Sequence, residues 1–399
     1  MDTFSSGRRF AALLTLALGG FGLGLTEFFA LGLLPDLARD LLPAEYAHSP
    51  SRALAEAGWV ITVYGLGVVV GAPTVAALTA RLPRRRILLG LLCLSLAGNL
   101  ACALAPTFAL VLVARFVTAL AHGAYFGAAG LVAATLLSRG GGSQAKGFAV
   151  VLSGLTTANV VGVPAVTWLG QVAGWRSACL AIAGVFGLTL LAVLVAVPPV
   201  DANPGGSPRA ELRAFRSRQV WLAALTGAIG FAGFFAVNSY ISPVTTHVTG
   251  LPPSAVPWVL AAVGLGMTVG NAVGGPAADR HLRGSVLFGF AGVDVAIILF
   301  VLFAHWPVGL FASVFLVGAS CLFIAPALQS WLIGAAPGAQ LMGAAVNQSA
   351  TNTANSIGAA VGGTAVAAGW GYLAPAWTGI VLATLGLVLA TLSFHLRSA

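Results

Sequence analysis

Charge is what this sequence has least of. Asp, Glu, Lys and Arg together make 7% of 399 residues, against 58% hydrophobic residues and a mean hydropathy of +0.96. A soluble domain carries roughly 25% charged residues. There is too little charge here to coat a globule in water, so lipid must be the main solvent. Cysteine is scarce too. Cys93, Cys102, Cys179 and Cys321 all fall within apolar runs, with neither metal-ligand spacing nor a disulfide framework. The loops carry no nucleotide-binding glycine loop, no metal-ligand cluster and no catalytic dyad. No pore-ring repeat appears either. An enzyme or a channel is therefore disfavoured, and no cofactor or metal is expected.

What the sequence does have is apolar length. A span needs about 20 apolar residues. Twelve runs qualify, near 10–34, 57–80, 87–105, 107–130, 147–169, 177–198, 219–241, 256–278, 286–304, 307–330, 341–367 and 371–395. The basic residues gather in every second gap. With the N-terminus inside, the cytoplasmic segments hold Arg8, Arg9, Arg81, Arg84, Arg85, Arg86, Arg139, Lys146, Arg209, Arg213, Arg216, Arg218, Arg280, Arg283 and Arg397. The outer loops hold Arg39, Arg52 and Arg176, and Arg115 lies inside a span. This asymmetry is the positive-inside pattern, and it places both termini in the cytoplasm of a bacterial inner membrane. It also accounts for the net charge of +9 without a nucleic-acid partner. Residues 1–9 are short and basic, and the run after them is too long for a signal-peptide core. The first span is expected to stay in place as a signal anchor.

The one long polar stretch is Pro199 to Arg218, rich in Pro, Gly and Arg. It reads as a cytoplasmic linker, 199–218, between an N-terminal six-helix bundle, 1–198, and a C-terminal one, 219–399. The halves look alike. Gly65-Leu66-Gly67-Val68-Val69-Val70-Gly71 stands before Arg81 as Gly264-Leu265-Gly266-Met267-Thr268-Val269-Gly270 stands before Arg280, at the same interval. Phe28-Phe29 and Phe234-Phe235 occupy similar places in spans one and seven. Paired repeats of this size commonly build transporters whose site lies at the interface of the repeats.

Several motifs then carry a family resemblance. Gly275-Pro276-Ala277-Ala278-Asp279-Arg280-His281-Leu282-Arg283 resembles the Gly-x-x-x-Asp-Arg-x-x-Arg loop signature of the major facilitator superfamily. In the first half, Ala76 and Ala80 replace the Gly and the Asp, while the basic part, Arg81, Arg84 and Arg85, is kept. Span four carries Arg115, then Thr118, His122, Gly123 and Phe126, similar to the superfamily's span-four motif. Span five carries Gly154, Asn159, Gly162 and Pro164, then Gly174-Trp175-Arg176. It is similar to the antiporter motif of proton-driven exporters, with Val163-Pro164 in place of the usual Gly-Pro pair. Span one, Gly22 to Asp36, is similar to that of bacterial drug and sugar-efflux members, including arabinose-efflux-like permeases. The resemblance covers essentially the whole chain. It implies an all-α integral membrane fold of twelve transmembrane helices in two pseudo-symmetric six-helix bundles, opened alternately to either side. It further implies proton-coupled efflux of small, drug-like or amphipathic molecules by a monomer in the lipid bilayer. Export of sugars or other metabolites, and import or uniport on the same fold, are the alternatives.

Candidate residues follow from the cost of polarity in lipid. Glu27 lies well inside span one, where an acid costs about 2.5–3.5 kcal/mol on insertion scales. It can bind a proton and exchange it for substrate, or serve as a structural acid bonded to a neighbouring helix. Arg115, Thr118, His122 and Phe126 share one face of span four. That face can pair with Glu27 or govern access to it, or Arg115 can bond backbone carbonyls and shape the bundle. Arg115 and His122 are thus proton-coupling candidates beside Glu27. Gln348, Asn352 and Asn355 form a polar stripe along span eleven, able to bond substrate or to join helices. Asn159, Asn238 and Tyr240 are further polar candidates. Phe28, Tyr125 and Phe234 can line an apolar pocket or pack. The substrate-binding set is Phe28, Tyr125, Asn159, Asn238, Gln348 and Asn352. The conformational set is Arg81, Arg84, Gly154, Gly162, Pro164, Gly275, Asp279, Arg280 and Arg283. Asp294 lies in span nine, peripheral in this fold, where packing is the better expectation.

Overall fold

In hydrocarbon every backbone N–H and C=O must find a partner within the protein, which favours helix. The computed structural model describes residues 6–79, 82–138, 144–199, 217–336 and 340–398. Among these residues there is no strand. Spans one to four are Ser6–Leu41, Trp59–Thr79, Arg84–Leu104 and Phe108–Ser138. Span five covers 144–173, and span six is Trp175–Ala196. Span seven begins with Arg218–Gly230 and Ala232–Ser239 and reaches Val248 through further short turns. Spans eight to twelve are Val256–Arg280, Leu282–Phe303, Pro307–Ala335, Gln340–Ala367 and Ala374–Ser398.

Eleven helices among the described residues are long and apolar enough to cross a membrane. The twelfth long helix, span eleven, has the length at 28 residues but is diluted by its own amides. It is shielded by protein on several sides, packing against spans two, seven, ten and twelve. Most of the 199–218 linker, residues 200–216, lies outside the described residues.

The repeat read from glycine spacing is physical. Gly67 and Gly71 bring span two against Phe116 and Leu120 of span four, so close that a Cβ would strike backbone. Gly266 and Gly270 do the same for span eight against Phe315 and Ala319 of span ten. The first glycine of each set faces the other half: Gly65 meets Asn352 and Ser356 of span eleven, and Gly264 meets Asn159 of span five. Small residues thus set both the packing within a half and the seam between halves.

Two spans are interrupted. Span five contains a π-helical turn, Ala158–Gly162, just before Pro164. Proline lacks an N–H and its ring crowds the carbonyl four residues back, and a wider turn relieves both. Span seven breaks at Phe231 and again at Tyr240. The fully buried Tyr240 donates to Ala359 O at 3.0 Å and wedges between Gly58 of the first half and Gly363 of the second. Two short helices, Pro43–His48 and Pro50–Ala57, follow span one, each with proline at its first turn. The second tucks Ala53, Leu54 and Ala57 inward. Ser356 donates to Thr62 O at 3.0 Å and Gln171 to Pro253 O at 2.9 Å. Together with Tyr240, these contacts join the halves on the side away from the face where span one begins.

Candidate functional site

Near the middle of the first half, spans one and four bring an acid, a base and a cation together, with span two alongside. Glu27 of span one is 5% exposed, Arg115 of span four 1%, and His122 of span four 0%. The carboxylate faces the imidazole, with Glu27 Oε2 3.8 Å from His122 Nε2. His122 Nδ1 lies 2.9 Å from the Tyr64 hydroxyl of span two. The Phe126 ring, one helical turn away, lies 5.2 Å from the imidazole.

Arg115 serves the backbone. It donates from Nε to Val60 O at 3.3 Å, from one terminal nitrogen to Thr26 O at 2.5 Å, and from the other to Glu27 O at 3.5 Å. Its guanidinium sits 4.1 Å from the Tyr64 ring centroid and 4.9 Å from that of Phe29. A charge taken out of water needs both hydrogen bonds and favourable electrostatics, and two aromatic faces with three carbonyls supply them. The guanidinium therefore pins spans one, two and four together at the level of Glu27. Thr118 turns elsewhere, donating to Ala114 O at 2.6 Å and packing on Gly98 of span three.

Among the described residues, the second half meets this cluster at Gln348. Gln348 Nε2 of span eleven lies 3.3 Å from His122 Nε2. One turn further, Asn352 donates to Gln348 O at 3.1 Å, while its carbonyl oxygen is buried without a partner. The side-chain carbonyl oxygens of Asn355 and Asn238 are buried and unpartnered as well. An unsatisfied buried acceptor costs about 1–3 kcal/mol, so spans seven and eleven hold acceptors suited to donors from elsewhere.

Tyr125 borders this cluster, its ring edge-on to Phe126; the other candidates make contacts of their own. Phe28 and Phe234 are buried in the core. Tyr125 donates to Leu16 O at 3.1 Å and rests where Gly19 leaves room for it. Asn159 sits in the π-turn of span five with its main chain against Gly264. Gly154 and Gly162 let span five press on span one, against Ala17 O and Leu25 respectively. Gly174 turns the chain between spans five and six with φ +86°, a conformation that suits glycine. Beyond it Trp175 donates to Asp40 at 2.9 Å, and Arg176 pairs with the same carboxylate. In the loop after span eight, Gly275 has open space around it, whereas its neighbour Gly274 packs on Phe323 of span ten. Asp279 and Arg280 are exposed, and Arg283 lies 5.9 Å from the Phe394 ring. Arg84 is half-buried at the start of span three, and Arg81 lies outside the described residues. Asp294 accepts from Thr384 of span twelve at 3.2 Å, away from the Glu27 cluster.

Tyr64 is the member of this cluster that sequence reasoning passed over. The signal was present: a single tyrosine directly before the Gly65 motif, in a run of Gly, Val and Leu. A phenol there places its hydroxyl on the same seam that the glycines open.

Comparisons with known proteins agree with this architecture. The family model described as Major Facilitator Superfamily matches residues 16–248. The inner membrane transport protein YdhP of Escherichia coli is 36% identical over 361 residues, covering 90% of each chain. The chloramphenicol resistance protein of Streptomyces lividans is 32% identical over 358 residues, covering 88% of each. Among solved structures, the nucleoside transporter NupG superposes with a TM-score of 0.73 at 14% identity, over 96% of this chain and 99% of that one. That last likeness is one of fold.

Proposed function

The chain belongs to the Major Facilitator Superfamily and is a transport protein rather than an enzyme; we propose that it exports small, drug-like or amphipathic molecules in exchange for protons. One observation carries this reading: a carboxyl 5% exposed inside span one, 3.8 Å from an imidazole. In lipid such an acid is a functional site by default. Glu27 alternates between a neutral acid and a carboxylate facing His122. Protonation from the outer side favours one arrangement of the halves, and substrate from the cytoplasm or inner leaflet binds the proton-free form. Arg115 holds spans one, two and four in register and does not move the proton. The N-terminus faces the cytoplasm, in accord with the arginine distribution.

One charge moved through 100 mV supplies roughly 2.3 kcal/mol, enough for about a fifty-fold gradient of a neutral substrate. The name of the Streptomyces relative makes chloramphenicol the first substrate to try. Its hydroxyl and amide donors suit the unpartnered oxygens of Asn238, Asn352 and Asn355. Those same oxygens favour a second reading, export of a hydroxyl-rich metabolite. In everted membrane vesicles carrying the protein, an imposed acid interior is expected to drive chloramphenicol uptake in wild type and not in Glu27→Gln. Equal uptake in the variant, or uptake insensitive to collapse of the pH gradient, would overturn the proton-coupled reading. Uptake of sugars in place of chloramphenicol would favour the second substrate class.

A further inference from the structure

We infer that Gln348 is the receiver in the second half for protonation in the first. His122 reads the state of Glu27 through Nε2 and passes it across the seam to the Gln348 amide, with Tyr64 positioning the ring. This rests on Glu27 being the proton-binding acid.

The geometry makes His122 Nε2 a shared atom. It faces Glu27 Oε2 of span one at 3.8 Å and Gln348 Nε2 of span eleven at 3.3 Å. A ring nitrogen presents either an N–H or a lone pair, so it cannot serve a carboxylate and an amide N–H in the same way. Nδ1 faces the Tyr64 hydroxyl at 2.9 Å, and a hydroxyl donates or accepts as needed. Tyr64 therefore supports the ring in either tautomer.

Two states follow. With Glu27 neutral, the ring proton sits on Nδ1 and is donated to Tyr64 Oη. The Nε2 lone pair then accepts an N–H of Gln348, and span four is tied to span eleven. With Glu27 ionised, the carboxylate draws the proton to Nε2, and Tyr64 turns to donate to Nδ1. Nε2 then has no lone pair for Gln348, and the tie between the halves is lost. The first state holds two protons, on the Glu27 carboxyl and on Nδ1. The second holds one, on Nε2. The Glu27 O–H and His122 Nδ1–H bonds break and an Nε2–H bond forms, so one of the two protons is rebound on Nε2 and the other is released to solvent.

The groups around the pair fit this division. Span two supplies the Tyr64 phenol, and span eleven supplies the uncharged Gln348. Span four supplies Arg115, whose guanidinium is given over to the carbonyls of Val60, Thr26 and Glu27. Arg115 is a fixed charge in both states, so the difference between them lies in Glu27 and His122.

The test uses the full chain in lipid nanodiscs, with spin labels at Leu78→Cys in the first half and His281→Cys in the second. Both sites are exposed, and the exposed Cys93 is changed to Ser. Pulsed spin-resonance distances are recorded from pH 5 to 9, and proton release on adding chloramphenicol is measured on the same samples. In wild type the ratio of the two distance populations should change by about ten-fold or more across this range. Glu27→Gln should hold the low-pH population at every pH. Gln348→Leu and Tyr64→Phe should each cut the change to less than about two-fold. A full pH response in both of these variants, with the response lost only in Glu27→Gln, overturns the relay and leaves proton coupling at Glu27 standing. A full response with unchanged proton release in Glu27→Gln overturns both.

Discussion

The two halves of this molecule share a skeleton and divide the chemistry. Gly67 and Gly71 against Phe116 and Leu120 are matched by Gly266 and Gly270 against Phe315 and Ala319. The same offset along the chain pairs Tyr64 with Val263, Arg115 with Val314 and His122 with Cys321. All six are buried. Where the first half has a phenol, a guanidinium and an imidazole, the second has three apolar or weakly polar side chains. Its buried polarity is instead carried by neutral groups such as Asn238, Asn352 and Asn355. Packing is thus repeated because both bundles must close helices in lipid, where small residues do that work. Ionisable groups are expensive there, and this cluster of them is found in one half alone among the described residues. The difference teaches that the joints between helices are common to both halves, while the clustered ionisable groups are not.

The comparison can be broken most severely at the acid. Glu27→Gln should abolish proton-driven accumulation, losing the whole of a gradient of roughly fifty-fold, as radiolabelled substrate in vesicles would record. Next comes the cation. Arg115→Val gives the first half the residue of the second, leaves three carbonyls without their donor and opens a void beside Phe29 and Tyr64. A loss of about 3–5 kcal/mol is expected, visible as a large drop in thermal stability in detergent. The joints should respond according to their contacts, not their motif membership. Gly154→Val, forced against Ala17 O, should cost at least about 2 kcal/mol, whereas Gly275→Ala should stay within about 0.5 kcal/mol. Equal effects at the two glycines would show that the close approach is misassigned. A small effect also belongs to the second half's own intramembrane acid. Asp294→Asn should leave proton release unchanged and shift stability by about 1 kcal/mol or less, since it keeps a partner for Thr384. A lost proton in that variant would place a titrating acid in each half.

Much of this was legible in the sequence, for physical reasons that can be named. Spans are visible because hydrocarbon demands length and apolarity. The repeat is visible because glycine spacing records where backbones meet. Glu27, Arg115 and His122 stand out because a charge or imidazole in an apolar run is rarely free of consequence. Which groups they bond was not legible. The guanidinium of Arg115 goes to main-chain carbonyls and two rings, and a carbonyl has no signature in a sequence. Tyr64 escaped notice because aromatic residues are common packing elements in helices. The helix Pro50–Ala57 was missed because eight mixed residues read as a loop. The π-turn of span five could be anticipated only as a disturbance before Pro164. Span eleven shows the same limit in reverse. Its stripe of Gln348, Asn352 and Asn355 is plain in the sequence, but only the fold shows Gln348 reaching across to His122 while its neighbours keep unpartnered oxygens.

One acid in the first half, Glu27, is proposed to carry the exchanged proton. The most direct test is a pH-electrode measurement on purified protein in weakly buffered detergent, titrated with chloramphenicol, in wild type and Glu27→Gln. Release approaching one proton per bound molecule in wild type, with binding but no release in the variant, is the predicted result. Binding with the same proton release in both proteins, or binding with no release in either, would contradict it.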